Sequence, residues 1–365
     1  MKATVAVIGG GYAGTWIAKE LDDEADVVLI DPRDAFVNVS SSMRALVRPE
    51  WASRPFFGYD TLLKHGTVVR DAVTSVSGSS LTLVSGAHID ADYIVLATGS
   101  SHSYPARPRE LDTSAADATA DLLATNAHLA DAGSVLILGA GPVGLELAGE
   151  IREAWPQKGV TIVDRSTQIL PGYLDEVRDE LLRQLEELGV TVMLHTELVT
   201  LPAVKDGELS PFTVTTTTGS EITADIWFRT FGARLNTDYL LDGELVALTE
   251  RGAVPVDAQL HVAGHRNVYA VGDIADLTDA KMATWAQTQA PTVVENIRAQ
   301  LRGEQPTAVY EPATTARILL PLGTSGGVGQ LPTPDGGVTS APVAAVIQRK
   351  GADLFTSRFA ERFTA

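Results

Sequence analysis

Short, wholly apolar runs alternate with stretches of helical periodicity along most of this chain. Thr4–Ile8 is such a run, bounded by glycines, and suits a parallel strand buried on both faces. Residues 12–21 carry helical spacing through Ile17, Ala18 and Leu21, and Val27–Ile30 reads as a second strand ending at Asp31. A less regular stretch leads to Thr67–Arg70, Ala72–Val76, Leu81–Val84 and Ala87–Asp90, whose alternation predicts a small antiparallel meander. Tyr93–Ala97 is another buried strand, and 104–113, with Pro105 and Pro108, reads as a linker. The same logic then restarts. The pattern predicts helices over 114–131, 142–153 and 174–188, and strands at Val135–Leu138, Val160–Val163 and Val190–Leu194. Leu174, Val177, Leu181, Leu182, Leu185 and Leu188 are read as one apolar face of the third helix. A second meander runs to Trp227–Thr230, a helix is expected over 283–301, and the last 55 residues read as strands and turns with a short helix at 353–363.

Two glycine clusters sit where strands give way to helices. Gly9-Gly10-Gly11-Tyr12-Ala13-Gly14 satisfies G-x-G-x-x-G, with Asp31 twenty residues beyond Gly11. In such a turn the first glycine permits the tight bend, the second lets backbone approach a pyrophosphate, and the third allows close helix–strand packing. The helix N-terminus offers free N–H groups to the phosphates, and the acidic residue accepts a ribose diol. Gly139-Ala140-Gly141-Pro142-Val143-Gly144 repeats the pattern, with Glu146 in its helix and Asp164 as its acidic residue. Two fingerprints imply two dinucleotides, and the natural pair is a flavin and a nicotinamide. Asp164 favours the 2′-hydroxyl of NADH, whereas Arg165 beside it could hold the 2′-phosphate of NADPH.

The 365 residues are 45% apolar and 20% charged, which fits a folded chain of two or three domains. Twenty-eight basic against 46 acidic residues give a net charge of -18, which argues against nucleic acid and against loose binding to anionic lipid. No apolar run approaches a membrane span, and cytoplasm is the default location. Seven of the 28 basic residues are Lys, in keeping with a GC-rich bacterial gene. Cysteine is absent, so thiol chemistry is excluded. The histidines form no H-E-x-x-H pattern, and no metal site is read.

These residues resemble the flavoproteins with two dinucleotide-binding domains, the pyridine nucleotide-disulfide oxidoreductase superfamily. The marks are both fingerprints, Ala97-Thr98-Gly99, Phe231-Gly232 in the second "TG" position, and Tyr269–Asp273. Within it the chain looks most like the apoptosis-inducing-factor-like, ferroptosis-suppressor type of NAD(P)H:quinone oxidoreductase, through Asp34-Ala35-Phe36, Arg44-Ala45, Gly66–Val69, Lys281–Ala283, Gly327–Gln330, Lys350 and Asp353–Phe355. The animal group's N-terminal lipid-attachment glycine has no counterpart, since Lys2 follows Met1.

The resemblance implies two Rossmann-like three-layer domains, each with a β-meander, plus a small C-terminal α+β subdomain. The boundaries read as FAD-binding domain 1–110 and 245–310, NAD(P)H-binding domain 111–244 and subdomain 311–365. FAD would lie on Gly9–Gly14, with its ribose at Asp31, a phosphate at Arg44, adenine near Val68, and Gly272-Asp273 at the ribityl chain or pyrophosphate. NADH or NADPH would take Gly139, Gly141, Gly144, Glu146, Asp164, Arg165 and Gly232. Disulfide reductases of the superfamily place cysteine where this chain reads Ser40-Ser41-Ser42-Met43, so reduced flavin must pass its electrons directly to an acceptor. A quinone-like acceptor is the main reading; an NADH-responsive sensor and a reductase of a small carrier protein are the alternatives. Lys281 and Lys350 are candidates for the flavin edge, and Phe355 for closing the acceptor pocket. Trp285–Ala290 is read as an ordinary helix with Trp285 in the core, although it is similar to the Ala-Gln motif beside the quinone site of type II NADH dehydrogenases. The apolar residues of the tail, Ile318, Leu320, Leu322 and Val346 among them, are expected to bury against the first domain. Phe355, Phe359 and Phe363 recur every four residues, which suits a lid or dimer contact more than a membrane-surface helix. Monomer and homodimer are both left open.

Overall fold

Two separate parallel sheets form from the apolar runs, and the chain passes from one to the other and back. The computed structural model describes residues 2–364 and is a mixed α/β fold. Its helices are α1 (Gly14–Leu21), α2 (Val39–Val47), α3 (Ala115–Asp131), α4 (Pro142–Ala154), α5 (Asp175–Glu187), α6 (Ala283–Leu301), α7 (Val343–Val346) and α8 (Thr356–Arg362).

The first sheet is ordered 268–270, 93–96, 4–8, 26–31 and 67–70, all parallel. Val5 and Val7 face α1 and α6 through Ile17 and Ile297, while Ala6 and Ile8 face Leu81, Leu83 and Val254. Both faces are thus covered, as a parallel sheet requires. Thr67–Arg70 corrects the sequence reading. It pairs in parallel with Val28–Asp31 as an edge strand, and the antiparallel meander holds only 73–76, 80–83 and 88–90. Alternation cannot distinguish the two; the apolar neighbours Leu29 and Ile30 opposite Val68 and Val69 settle it.

The second sheet is ordered 190–193, 159–163, 134–138 and 226–229. Val135 and Ile137 pack toward α4 and α5, and Leu136 and Leu138 toward the hairpin 212–215/221–224 with Trp227. On α5, Val177, Leu181 and Leu185 are buried, but Leu182 is 39% exposed. One residue along a helix is a turn of about 100°, which carries Leu182 out of the stripe. Between the sheets, Ser100–Ser101 pairs antiparallel with Arg234–Leu235, so the two crossings of the chain lie side by side.

The tail does not bury where its composition suggested. Its strands 318–322, 326–332 and 338–341 form an antiparallel sheet that lies on α4 and α5, and Ile318, Leu320 and Leu322 join the core of the second sheet. Gly149 explains the choice: a Cβ there would stand 2.7 Å from Leu322 Cα, so glycine lets strand and helix meet. Gln184 of α5 seals the contact, accepting from Gly327 N at 2.7 Å and donating to Gly327 O at 3.1 Å. The final helix carries the tail's aromatic contact with the first domain, beside polar ties from Asn38 and Arg44 to the tail's turns. Phe359 and Phe363 of α8's face pack against Phe36, Phe57 and Tyr59, with Phe36 and Phe363 stacked at 5.6 Å. Lys19 donates to the carbonyls of Arg362 and Thr364.

Candidate functional site

The two glycine turns share one construction. At the first, Gly9 has φ +104° and a Cβ on Gly14 would stand 1.9 Å from Gly9 O. At the second, Gly139 has φ +116° and a Cβ on Gly144 would stand 2.1 Å from Gly139 O. A positive φ and a closed approach together require glycine. Asp31 accepts from Gly10 N at 2.7 Å and from Arg33 N at 2.9 Å; Asp164 accepts from Ala140 N at 2.6 Å and Ser166 N at 2.7 Å. Each carboxylate therefore clasps its own loop while standing at the end of the adjacent strand. At Asp164 burial works to raise the pKa, but the Ala140 and Ser166 N–H groups outweigh it and hold the carboxyl below its ordinary value. That ionised group opposes a 2′-phosphate, and Arg165 beside it is exposed.

Gly11 and Gly141 have open space where a Cβ would lie, with α1 and α4 beginning just beyond. This is the cradle a pyrophosphate needs. Gly10 differs from Ala140 because Tyr59 covers it: its hydroxyl donates to Gly10 O at 2.8 Å. Tyr12 lies edge-on to Phe36 at 5.0 Å, with Phe359 on it from α8, and Ala13 is buried beneath the loop.

The other walls come from the crossing point. Ala97 O abuts Gly9, Gly99 has φ +63° and Gly232 φ +87°. Asn236 ties the two junctions together: its Nδ2 donates to Thr98 O at 2.9 Å and its backbone N to Gly99 O at 3.0 Å. Asp273 accepts from Ser100 Oγ at 2.5 Å, and Gly272 N donates to Gln289 Oε1 at 2.7 Å. Gln289 in turn donates to Asp279 at 3.2 Å, which fixes the 272–273 turn on α6. Lys281 donates to Ala275 O at 2.9 Å; burial of the ammonium lowers its pKa, against the pull of Asp273. Trp285 is half-buried and belongs to none of the apolar cores, contrary to its reading as a core residue. Val68 is half-buried on the edge strand 67–70.

Arg44 is engaged by protein groups in place of the phosphate contact expected of it. It is 1% exposed, and its guanidinium is taken up by protein partners. Nε donates to Glu150 Oε1 at 2.9 Å, Nη1 to Gly351 O at 2.7 Å and Nη2 to Gly323 O at 3.0 Å. One side chain on α2 thereby joins α4 and two turns of the tail. Three positions on that α4 face bind in this way. Glu146 meets Lys350 at 2.7 Å, Glu150 meets Arg44, and Glu153 meets Arg48 and Thr324. Burial raises the pKa of Glu146 and of Glu150, and the partner cations oppose it. Lys350 and Glu146, read separately as flavin-edge and nicotinamide candidates, are thus one ion pair. Phe355 is half-buried at the N-terminus of α8 with φ +64°, after Leu354 at +50°. Two successive non-glycine residues in the left-handed region are strained, and Asn38 holds them by donating to Leu354 O at 2.8 Å.

Two arginines escaped the sequence reading. Arg33 and Arg107 stand by the first cradle, and the Nε of each is buried with no hydrogen-bond partner among the described residues. Unmatched buried cationic N–H groups beside a phosphate-type turn fit an anionic dinucleotide.

Two such cradles on one chain, joined at a paired crossing, define a protein that brings two dinucleotides together. The family model for pyridine nucleotide-disulphide oxidoreductases matches residues 3–295. The chain belongs to that family and is an oxidoreductase by that membership. It is 28% identical over 340 residues to ferroptosis suppressor protein 1 of Homo sapiens, covering 90% of this chain and 88% of that one. It is 31% identical over 306 residues to the FAD-dependent oxidoreductase FVFD30 of Flammulina velutipes, covering 81% and 91%. Among solved structures, the sulfide:quinone oxidoreductase of Aquifex aeolicus superposes with a TM-score of 0.76 at 16% identity, covering 99% of this chain and 91% of that one. The resemblance read from the sequence is borne out at the level of family and fold. Among the described residues no helix is long and apolar enough to cross a membrane.

Proposed function

We propose that the protein is an FAD-dependent NAD(P)H oxidoreductase that delivers electrons to a quinone-like acceptor without a redox-active disulfide. The observation that carries this reading is the pair of matched cradles facing a shared crossing, on a chain with no cysteine. The first would hold FAD and the second the nicotinamide. Ferroptosis suppressor protein 1 and a protein named as a sulfide:quinone oxidoreductase are among its relatives and fold neighbours, which supports a quinone-like acceptor.

When bound, the flavin supplies hydride acceptance from the nicotinamide and onward electron delivery. The protein's part is placement. Gly9, Gly11 and Gly14 admit a pyrophosphate, Asp31 keeps the turn closed, and Gln289 fixes the Gly272-Asp273 turn. The α2–α4–tail network holds the two cradles in register. Asp164 favours NADH over NADPH. Ser41 and Ser42 are buried in α2 at the position of the superfamily's cysteines, so no protein thiol relays the electrons.

Absorbance spectroscopy tests this directly. Purified protein should show an oxidised flavin spectrum that bleaches anaerobically with NADH and returns on adding a soluble quinone. Protein that takes up no FAD, or whose reduced flavin persists for minutes with quinone present, overturns the proposal.

A further inference from the structure

Arg107 lies in the segment that leads out of the first sheet, just after the crossing strand Ser100–Ser101. Its loop is tied to the residues just after the strand 26–31, with Ala115 N donating to Asp34 Oδ1 at 2.9 Å and Arg70 bridging Pro32 O and Asp112 O. Charges from three other parts of the chain reach it: Tyr12, Asp31 with Arg33, and Asp273. Arg33 follows the strand 26–31, with its Nε 3.5 Å from Asp31 Oδ1. Two guanidiniums of like charge thus stand near Asp31, the carboxylate that clasps the first glycine turn.

The surrounding carboxylates give them no hydrogen bond through Nε. Asp31 is engaged by Gly10 N and Arg33 N, and Asp273 by Ser100 Oγ. The Nε atoms of Arg33 and Arg107 are sealed from solvent and make no hydrogen bond among the described residues; Arg33 Nε has only the long 3.5 Å ion pair with Asp31 Oδ1. Burial, and then Arg33, press the Arg107 pKa down; burial and then Arg107 press His102 toward its neutral form. A protein that holds two cations within reach of each other's charge carries a standing cost that a neighbouring anion removes.

The geometry also says which anion fits. Gly11, on the same turn, leaves open space beside the N-terminus of α1. A single carboxylate could match one guanidinium. Two guanidiniums with fork geometry match a group that carries two charges on adjacent phosphorus centres. We propose that Arg33 and Arg107 form a two-arginine clamp on the pyrophosphate of the dinucleotide held by the first cradle. Arg107 sits in the connection toward α3 and the second sheet, so the clamp also fastens that connection over the bound cofactor. The inference rests on the reading of the first cradle as the FAD site.

The test uses FAD and ADP, which share the pyrophosphate, and riboflavin, which lacks it. Wild type, Arg33→Gln, Arg107→Gln and Arg107→Lys are stripped of cofactor, and binding is followed by flavin fluorescence or calorimetry. Thermal melting of each apoprotein is recorded in parallel. Each glutamine variant should weaken FAD and ADP alike, by about 10- to 100-fold, the range for a lost charged hydrogen bond. Arg107→Lys should fall between, since it keeps the charge and loses the fork. The apoprotein of Arg107→Gln should melt no lower than wild type, because it removes a repulsion. Unchanged ADP and FAD affinity in the glutamine variants overturns the clamp. So does a loss of affinity accompanied by a lower apoprotein melting temperature, which marks a structural role. Wild-type protein that binds neither FAD nor ADP refutes instead the functional reading of the first cradle.

Discussion

Removing the carboxylate of Glu150 leaves Arg44 as a buried cation without its counter-ion. The two side chains are 1% and 4% exposed, and Nη2 stands 2.7 Å from Oε1. Breaking such a buried pair from one side costs about 3–5 kcal/mol, against about 0–1 kcal/mol for an exposed pair. Glu150→Ala should therefore lose much of a domain's usual margin of about 5–15 kcal/mol. Arg44→Met should cost at least as much, since it also strips Gly323 O and Gly351 O of a donor. The two variants differ in their response to pH. Without Arg44, the Glu150 pKa, already raised by burial, climbs further. A carboxyl whose folded pKa is raised loses stability as pH rises through that pKa, so Arg44→Met should be less damaged at pH 5.5 than at pH 8. Glu150→Ala, which has no such group to protonate, should lack that gain. Urea midpoints of the FAD-loaded proteins at both pH values, read by tryptophan fluorescence, give the comparison. A loss below about 1 kcal/mol for Glu150→Ala would show that the pair behaves as a surface bridge and refute the reasoning. A tenfold loss of FAD affinity in Arg44→Met at wild-type stability would return Arg44 to a phosphate.

Gly14→Ala and Gly144→Ala should divide the two cofactors, because each Cβ collides with the carbonyl of its own turn: the first should abolish FAD retention, and the second should leave the protein yellow but not reducible by NADH, both read by absorbance. Lys350→Ala removes the cation opposing burial at Glu146, so its melting temperature should fall further below wild type at pH 8 than at pH 6, as calorimetry at the two pH values would show. Phe355→Ala should raise the acceptor KM several-fold while stopped-flow reduction by NADH stays at the wild-type rate; a change confined to subunit association would remove Phe355 from the acceptor pocket.

Both cradles were legible because everything that defines them is local: the glycines, the strand before, the helix after, and an acidic residue one strand away. The Arg44 site was not, because its partners lie 106, 279 and 307 residues distant, and a motif match to a phosphate arginine looks the same in either setting. A signal was nonetheless present. Glu146, Glu150 and Glu153 fall on one face of a helix whose other residues are largely apolar, and buried glutamates require cations. The tail shows a different limit. Its apolar residues announced burial, but which wall they use depends on Gly149, an interior helix glycine that conveys nothing until the strand beside it is known. Arg107 was hidden in a linker-like segment, where burial cannot be read from composition.

The first sheet has a consequence for synthesis. Its outermost strand at one side is 268–270, and the aromatic cluster around Tyr12 closes only with Phe359 and Phe363. The ribosome therefore makes the first glycine turn long before the chain can finish the wall behind it. At about 5–20 residues per second, the interval from Tyr12 to Phe363 is on the order of 20–70 s. For most of that time Phe36, Phe57 and Tyr59 lack the cover of Phe359 and Phe363, and the second sheet can form first, since its strands all lie between 134 and 229, with α4 and α5 still waiting for the tail strands that lie on them. The portion translated earliest is thus among the last to be completed, and chaperone dependence should concentrate on that interval.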